Sequence, residues 1–190
     1  MVETFIRVYD EALPAAFCAD VIERFERDGH KVAGGATSNE GNVVIAGKRT
    51  TELMLMELTE WADVVERLSG NLLEYLERYR GEVKFLAGMD HTGVGREGFR
   101  LKRYQPGEFF HWHIDCSSRG SLARVLAVQW YFNTVDEGGE TEFQDQQIRI
   151  RPVAGRLAFF PVSWMHRHRG APPRSGPKYI CTNFVRPRFD

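Results

Sequence analysis

The chain has 190 residues, 43% of them hydrophobic and 12% aromatic, enough apolar material for one packed domain without covalent staples. Its 25 Lys/Arg and 26 Asp/Glu give a formal net charge of -1, which excludes a global field that would recruit nucleic acid or a membrane surface. Cys18, Cys116 and Cys181 are odd in number and far apart, so neither a disulfide framework nor a CxxC metal pair follows. No stretch approaches the ~18 apolar residues of a membrane span. The N-terminus lacks the basic and apolar regions of a signal peptide, and a reducing, cytoplasmic setting is the expectation. The charge is uneven: residues 1–80 carry 9 Lys/Arg against 15 Asp/Glu, while residues 147–190 carry 9 against Asp190 alone. A solvated basic face and a site for an anionic small molecule both fit that run.

In chain order, Thr4–Tyr9 reads as a strand, and Pro14 opens a helix to about Asp28, with Phe17, Cys18, Val21, Ile22 and Phe25 on one face. Residues 29–47, with Gly34, Gly35 and Gly41, read as loop. A second helix is expected over Glu60–Arg80 on the apolar stripe from Trp61 to Leu76. Gly88–Gly98 reads as a flexible loop without a phosphate-binding GxGxxG pattern. From Phe99 onward, short β-rich runs alternate with turn signals such as Pro106-Gly107, Gly138-Gly139 and Pro172-Pro173. The runs are Phe99–Tyr104, Phe109–Ile114, Leu122–Asn133, Thr141–Phe143, Gln147–Arg151, Arg156–Phe160 and Lys178–Val185. So many strands without an intervening helix imply a closed or double-sheet β structure, α+β overall once the two helices are counted.

The chemistry concentrates in Tyr104-Gln-Pro-Gly-Glu-Phe-Phe-His-Trp-His-Ile-Asp115. On a strand, residues two apart share a face, so His113 and Asp115 project together. A distant histidine would complete the two-His, one-carboxylate face that holds Fe(II) in non-haem oxygenases with positions left open. An isolated HxD arises often by chance, and the decisive segment is the distal one, His166-Arg-His168-Arg-Gly170-Ala-Pro172-Pro-Arg-Ser-Gly176-Pro-Lys178.

At this point the chain resembles the prolyl 4-hydroxylase-like branch of the 2-oxoglutarate/Fe(II) dioxygenases. That branch carries HxD and, about fifty residues later, a His followed by Gly, Pro, Gly and Lys at increments of two, four, eight and ten. His168, Gly170, Pro172, Gly176 and Lys178 occupy all five positions. Tyr131-Phe-Asn133 with Gly138-Gly-Glu-Thr-Glu-Phe143, and Leu157-Ala-Phe-Phe160-Pro161, look like further family segments. The resemblance covers roughly Phe99–Arg186. Phe184 stands where relatives often have Trp, and Pro173 where Val is frequent.

The resemblance implies a double-stranded β-helix (jelly roll) in a single domain over residues 1–190, with 1–95 as helix-rich support and 96–190 as the core holding the metal. It implies His113, Asp115 and His168 as iron ligands, with Fe(II), 2-oxoglutarate and O2 as cofactor and cosubstrates and ascorbate as a candidate reductant. Among the competing histidines, His113 alone stands two residues before an Asp, and His168 alone lies ten before Lys178. His111 and His166 are left as supporting or mouth-lining residues, and a multi-His Zn or Mn site is the physical rival. His30 and His91 read as structural or solvated.

Lys178 is expected to pair with the far carboxylate of 2-oxoglutarate through charge-assisted bonds, with Tyr104 and Tyr131 contacting it. The activity expected is hydroxylation of an unactivated C–H bond, with release of succinate and CO2. Its substrate is expected to be a peptidyl or free amino acid or related small molecule, with no nucleic-acid or membrane partner. Asp115 disfavours the halogenase variant, which lacks that carboxylate. The alternatives are a cupin-like metalloenzyme that does not use 2-oxoglutarate, and a non-catalytic jelly-roll binding module. Loops 29–52 and 88–98 are expected to border the mouth, and Arg100, Arg103, Arg119 and Arg124 read first as surface charge and second as readers of an acidic group.

Overall fold

The computed structural model of the chain describes residues 3–38, 41–44, 46–83 and 94–187. The elements run β1 (Arg7–Tyr9), α1 (Ala15–Arg27), β2 (Val32–Ala33), β3 (Gly35–Ser38), β4 (Gly41–Val44), β5 (Thr51–Met54) and α2 (Ala62–Glu82). They continue with β6 (Val94–Arg96), β7 (Arg100–Tyr104), β8 (Phe110–His113), β9 (Leu126–Tyr131), β10 (Thr141–Phe143), β11 (Ile148–Ile150), β12 (Leu157–Pro161), β13 (His168–Gly170) and β14 (Lys178–Pro187). An eight-stranded sheet has the order β1-β12-β9-β14-β7-β5-β2, with β6 also on β14, and a four-stranded sheet has the order β11-β10-β13-β8. Every named pairing is antiparallel.

Alternation along the large sheet sorts its residues onto two faces. Leu126, Val128 and Trp130 of β9, with Tyr179 and Cys181 of β14, join Val21, Phe25, Leu68 and Leu72 of the two helices in the larger core. Ala127, Tyr131 and Ile180 point the other way and meet Phe143 and Ile150 of the small sheet in a second core. All six residues of β9 are buried, because the sheet is covered by helices on one face and by the small sheet on the other. Asn71 ties the layers together: its amide donates to the Ala12 carbonyl (2.8 Å) and accepts from the Trp130 indole (2.8 Å).

Both predicted helices are present, α1 starting one residue after Pro14 and α2 shifted by two residues. Residues 29–47, expected as loop, carry β2 and the β3–β4 hairpin instead. Their short, glycine-interrupted runs lack the period-two apolar pattern by which strands are recognised. Most of the Gly88–Gly98 loop, with His91, lies outside the described residues, and β6 forms at its end. Residues 1–95 do more than support: β1, β2 and β5 are members of the large sheet itself. Among the described residues, no helix is long and apolar enough to cross a membrane.

Three arginines of the basic C-terminal run are ion-paired. Arg169 reaches Glu142 (2.6 Å), Arg149 reaches the same carboxylate (3.4 Å), and Arg156 reaches Asp10 (2.6 Å).

Candidate metal centre

His113 ends β8 and His168 begins β13, and the two residues face each other directly in the register of these strands. Their rings stand 4.3 Å apart between centroids. Asp115 lies just beyond β8, and its carboxylate is 3.5 Å from His113 Nε2 and 3.4 Å from His168 Nε2. Ligand atoms of all three residues fall within 4.8 Å of one another.

The tautomers are set by the backbone. His113 Nδ1 donates to the His111 carbonyl (2.7 Å), and His168 Nδ1 donates to the His166 carbonyl (3.0 Å). Each imidazole therefore turns its Nε2 toward the carboxylate. Two Nε2 atoms and a carboxylate converge, an arrangement that one cation can bridge. With metal–ligand bonds of about 2.1 Å, neighbouring donors on one ion stand roughly 3 Å apart, so the group is close to assembled. Burial pushes His168 down to about 4, which leaves it neutral at physiological pH. Burial works against ionisation of Asp115, but the imidazoles of His168 and His113 outweigh it and hold the carboxyl well below the usual range. A divalent cation needs an ionised carboxylate and free Nε2 lone pairs, and would displace any proton held between them.

His168 is enclosed by Phe143 (ring centroids 5.5 Å) and Phe160 (4.9 Å), while Phe110 stacks on His113 (3.5 Å). Beside the triad a pocket runs between the sheets, lined among others by Tyr104, Gln129, Thr141, Lys178 and Ile180. Lys178 is 0% exposed. Its ammonium donates to the Gly139 carbonyl (2.9 Å) and sits 4.1 Å from the Tyr104 ring centroid, and burial pushes its pKa down to about 7. Tyr104 is opposite Lys178 in the β7–β14 register and lines the same pocket. Tyr131 is not among the lining residues, but its hydroxyl donates to the hydroxyl of Thr141 (2.8 Å), which lines the pocket.

His111 and His166 act through their main chains, as the acceptors that orient the two imidazoles. The His111 ring packs on Phe109 (4.4 Å), and His166 Nε2 donates to the Thr4 carbonyl (2.9 Å). His30 is exposed near Asp28 and Glu60. Of the four candidate arginines, Arg100 and Arg124 line an outer pocket that shares His113 and Asp115. Arg103 points to the helical face and pairs with Glu26 (2.7 Å), and Arg119 is not among the lining residues. From the 29–52 segment, Gly35 and Lys48 reach that outer pocket.

Sequence reasoning missed Lys102, which lines both pockets. It was legible in principle: it stands two residues before Tyr104, hence on the same face of β7.

Residues 99–186 match the 2OG-Fe(II) oxygenase superfamily. No curated protein sequence matches the chain. Among solved structures, the chain is similar to a viral collagen prolyl hydroxylase from Paramecium Bursaria Chlorella virus-1, solved with 2OG. Identity is 21%, 97% of each chain is covered, and the TM-score is 0.70. A prolyl hydroxylase from Trichoplax adhaerens, in complex with a hypoxia inducible factor peptide fragment, gives 16% identity over 97% of this chain and 84% of that one, with a TM-score of 0.77. A prolyl-4-hydroxylase from Pseudomonas putida gives 19% identity over 96% and 93%, with a TM-score of 0.68. The mostly antiparallel sheets and two helices fit a jelly-roll core of this kind.

Proposed function

We propose, from the match of residues 99–186 to the 2OG-Fe(II) oxygenase superfamily, that the protein is an oxygenase of that kind and a hydroxylase of amino acid residues, free amino acids or related small molecules, built as a double-stranded β-helix within a single domain. His113, Asp115 and His168 hold Fe(II), and Lys178 with Tyr104 holds 2-oxoglutarate. The bound iron supplies the oxidative chemistry, in which O2 and 2-oxoglutarate are consumed, succinate and CO2 are released, and an unactivated C–H bond gains a hydroxyl group.

The observation that carries this reading is the convergence of two Nε2 atoms and one carboxylate beside a buried ammonium. With only three protein ligands, a bound iron would have room for the cosubstrate and O2. The His111 and His166 carbonyls fix which nitrogen is offered. Lys178 lies at the floor of the adjoining pocket, where a dicarboxylate chelated by its other end would place its far carboxylate. Gly139 and the Tyr104 ring orient the ammonium before any ligand arrives, reducing the ordering cost of binding. Phe110, Phe143 and Phe160 keep water from the imidazoles. The buried Lys178 also argues against a cupin-like centre, which has no anion to place there.

The test is succinate formation from 2-oxoglutarate by the purified protein with Fe(II) in air, without added substrate. Slow uncoupled release is expected from the wild type and none from His113→Ala or His168→Ala. Lys178→Met is expected to raise the KM for 2-oxoglutarate at least about ten-fold while still binding metal. No succinate from metal-loaded wild type contradicts the proposal.

A further inference from the structure

Outside the metal triad, the outer pocket carries an excess of positive charge. Its lining includes Lys48, Arg100, Lys102 and Arg124, against the carboxylates of Glu97 and Asp115. Three of these cations are already held. Lys48 pairs with Glu52 (2.6 Å), Arg100 reaches the same carboxylate (3.3 Å), and Arg124 grips Glu97 through two nitrogens (2.9 and 2.6 Å).

Lys102 is the exception. It is 8% exposed and lines both the outer pocket and the pocket beside the triad. Among the described residues its ammonium makes no hydrogen bond or ion pair. Glu52 faces it across β5–β7 but is already engaged by Lys48, Arg100 and Thr50. Asp115 is committed to the metal on the reading above. Glu52 and Asp115 attract Lys102 only through space, and an anion that hydrogen-bonds to it lowers the cost of its burial.

We infer that the substrate to be oxidised carries a carboxylate, and that Lys102 binds it. This rests on the oxygenase reading for the identity of the pocket, and goes beyond it by naming the substrate's chemistry. Lys178 serves the cosubstrate at the floor, and Lys102 stands between that floor and the mouth, beside His113 and Asp115. A carboxylate seated there places the neighbouring carbons of its own molecule near the metal. The lining around it is mixed, with Met54, Phe110 and Phe184 beside Ser117 and Thr182, and so suits a short aliphatic body. The carboxylate can be that of a free amino acid or an acidic side chain of a peptide.

The test is calorimetric binding to wild type, K102M, K102R and K178M, each as metal-free protein and as the Mn(II)–2-oxoglutarate complex, which does not turn over. The probes are free L-amino acids, their C-terminal amides, and N-acetylated, C-amidated peptides with one Asp or Glu. At least one carboxylate is expected to bind the wild type, at least about ten-fold more tightly than its amide. K102M is expected to lose that preference, K102R to keep most of it, and K102M to retain the wild-type affinity for 2-oxoglutarate and at least the wild-type melting temperature. Binding of free amino acids alone identifies a small-molecule substrate, and binding of acidic peptides alone identifies a peptidyl one. The inference is overturned if K102M binds the carboxylates as wild type does, if no carboxylate of either kind binds, or if K102M loses 2-oxoglutarate. Failure of Mn(II) and 2-oxoglutarate to bind while Lys102-dependent carboxylate binding persists contradicts the oxygenase reading, and with it the claim that the bound carboxylate belongs to an oxidised substrate.

Discussion

Lys178 shows how a single residue couples stability to function. Its ammonium is fully buried, and desolvation lowers its pKa to about 7 from the ordinary 10.5. Between these values the unfolded chain binds the proton more tightly than the folded one, so this residue's contribution to stability rises with pH across that window and is most unfavourable below pH 7. Lys178→Met should therefore stabilise the ligand-free protein at pH 7 by a few kcal/mol, with the advantage shrinking as pH rises toward 10. Urea unfolding at several pH values measures this, and an advantage that grows with pH would contradict it. Binding of 2-oxoglutarate at pH 8 should take up protons onto Lys178, read by calorimetry in buffers of different ionisation enthalpy, and K178M should reduce that uptake. The same residue marks how far the sequence alone reaches. Its spacing from His168 pointed to the site, whereas its burial, its Gly139 acceptor and its contact with Tyr104 depend on a register that pairs residues more than seventy positions apart. The orienting carbonyls of His111 and His166 were hidden for another reason, since any residue type supplies a carbonyl.

Among the elements, the informative joints are those where a polar group or a turn holds two layers. Asn71 bridges α2, the Ala12 carbonyl and Trp130 in a buried setting. Replacing it with leucine leaves two buried polar groups unpaired and should cost about 2 kcal/mol or more in urea unfolding; a neutral result would show that the bridge adds nothing. At the turn before β10, Gly138 has φ +74°, and a Cβ there would run into the Pro172 carbonyl oxygen. Gly138→Ala should cost at least about 2 kcal/mol and weaken 2-oxoglutarate binding, because the next residue provides the carbonyl that holds Lys178. The long strands and both helices were legible because their apolar periodicity is strong. The strands β2, β3 and β4 were not, being only two to four residues long, so pairing rather than pattern defines them. Which of the arginines face the pocket needs the register: one step along β7 moves a side chain from the pocket, where Arg100 lies, to the helical face, where Arg103 pairs with Glu26.

For the whole molecule, the N-terminal half and the metal-bearing half share one sheet, as β1 pairs with β12 and β5 with β7. Trp61 and Trp130 lie in the same core. Unfolding should thus be a single transition, coincident by far-UV circular dichroism and tryptophan fluorescence, and a fragment beginning at residue 96 should not fold, because it lacks the helices that cover the sheet. Two separated transitions would contradict this. The central claim remains that the triad and Lys178 together bind one metal ion and one dicarboxylate. Its most direct test is anaerobic titration of the metal-free protein with Fe(II) and then 2-oxoglutarate, followed in the visible range. A weak charge-transfer band should appear only when both are present, vanish in His113→Ala and His168→Ala, and require more 2-oxoglutarate in Lys178→Met. A wild type that shows no band, or a band unchanged in the histidine variants, contradicts the claim.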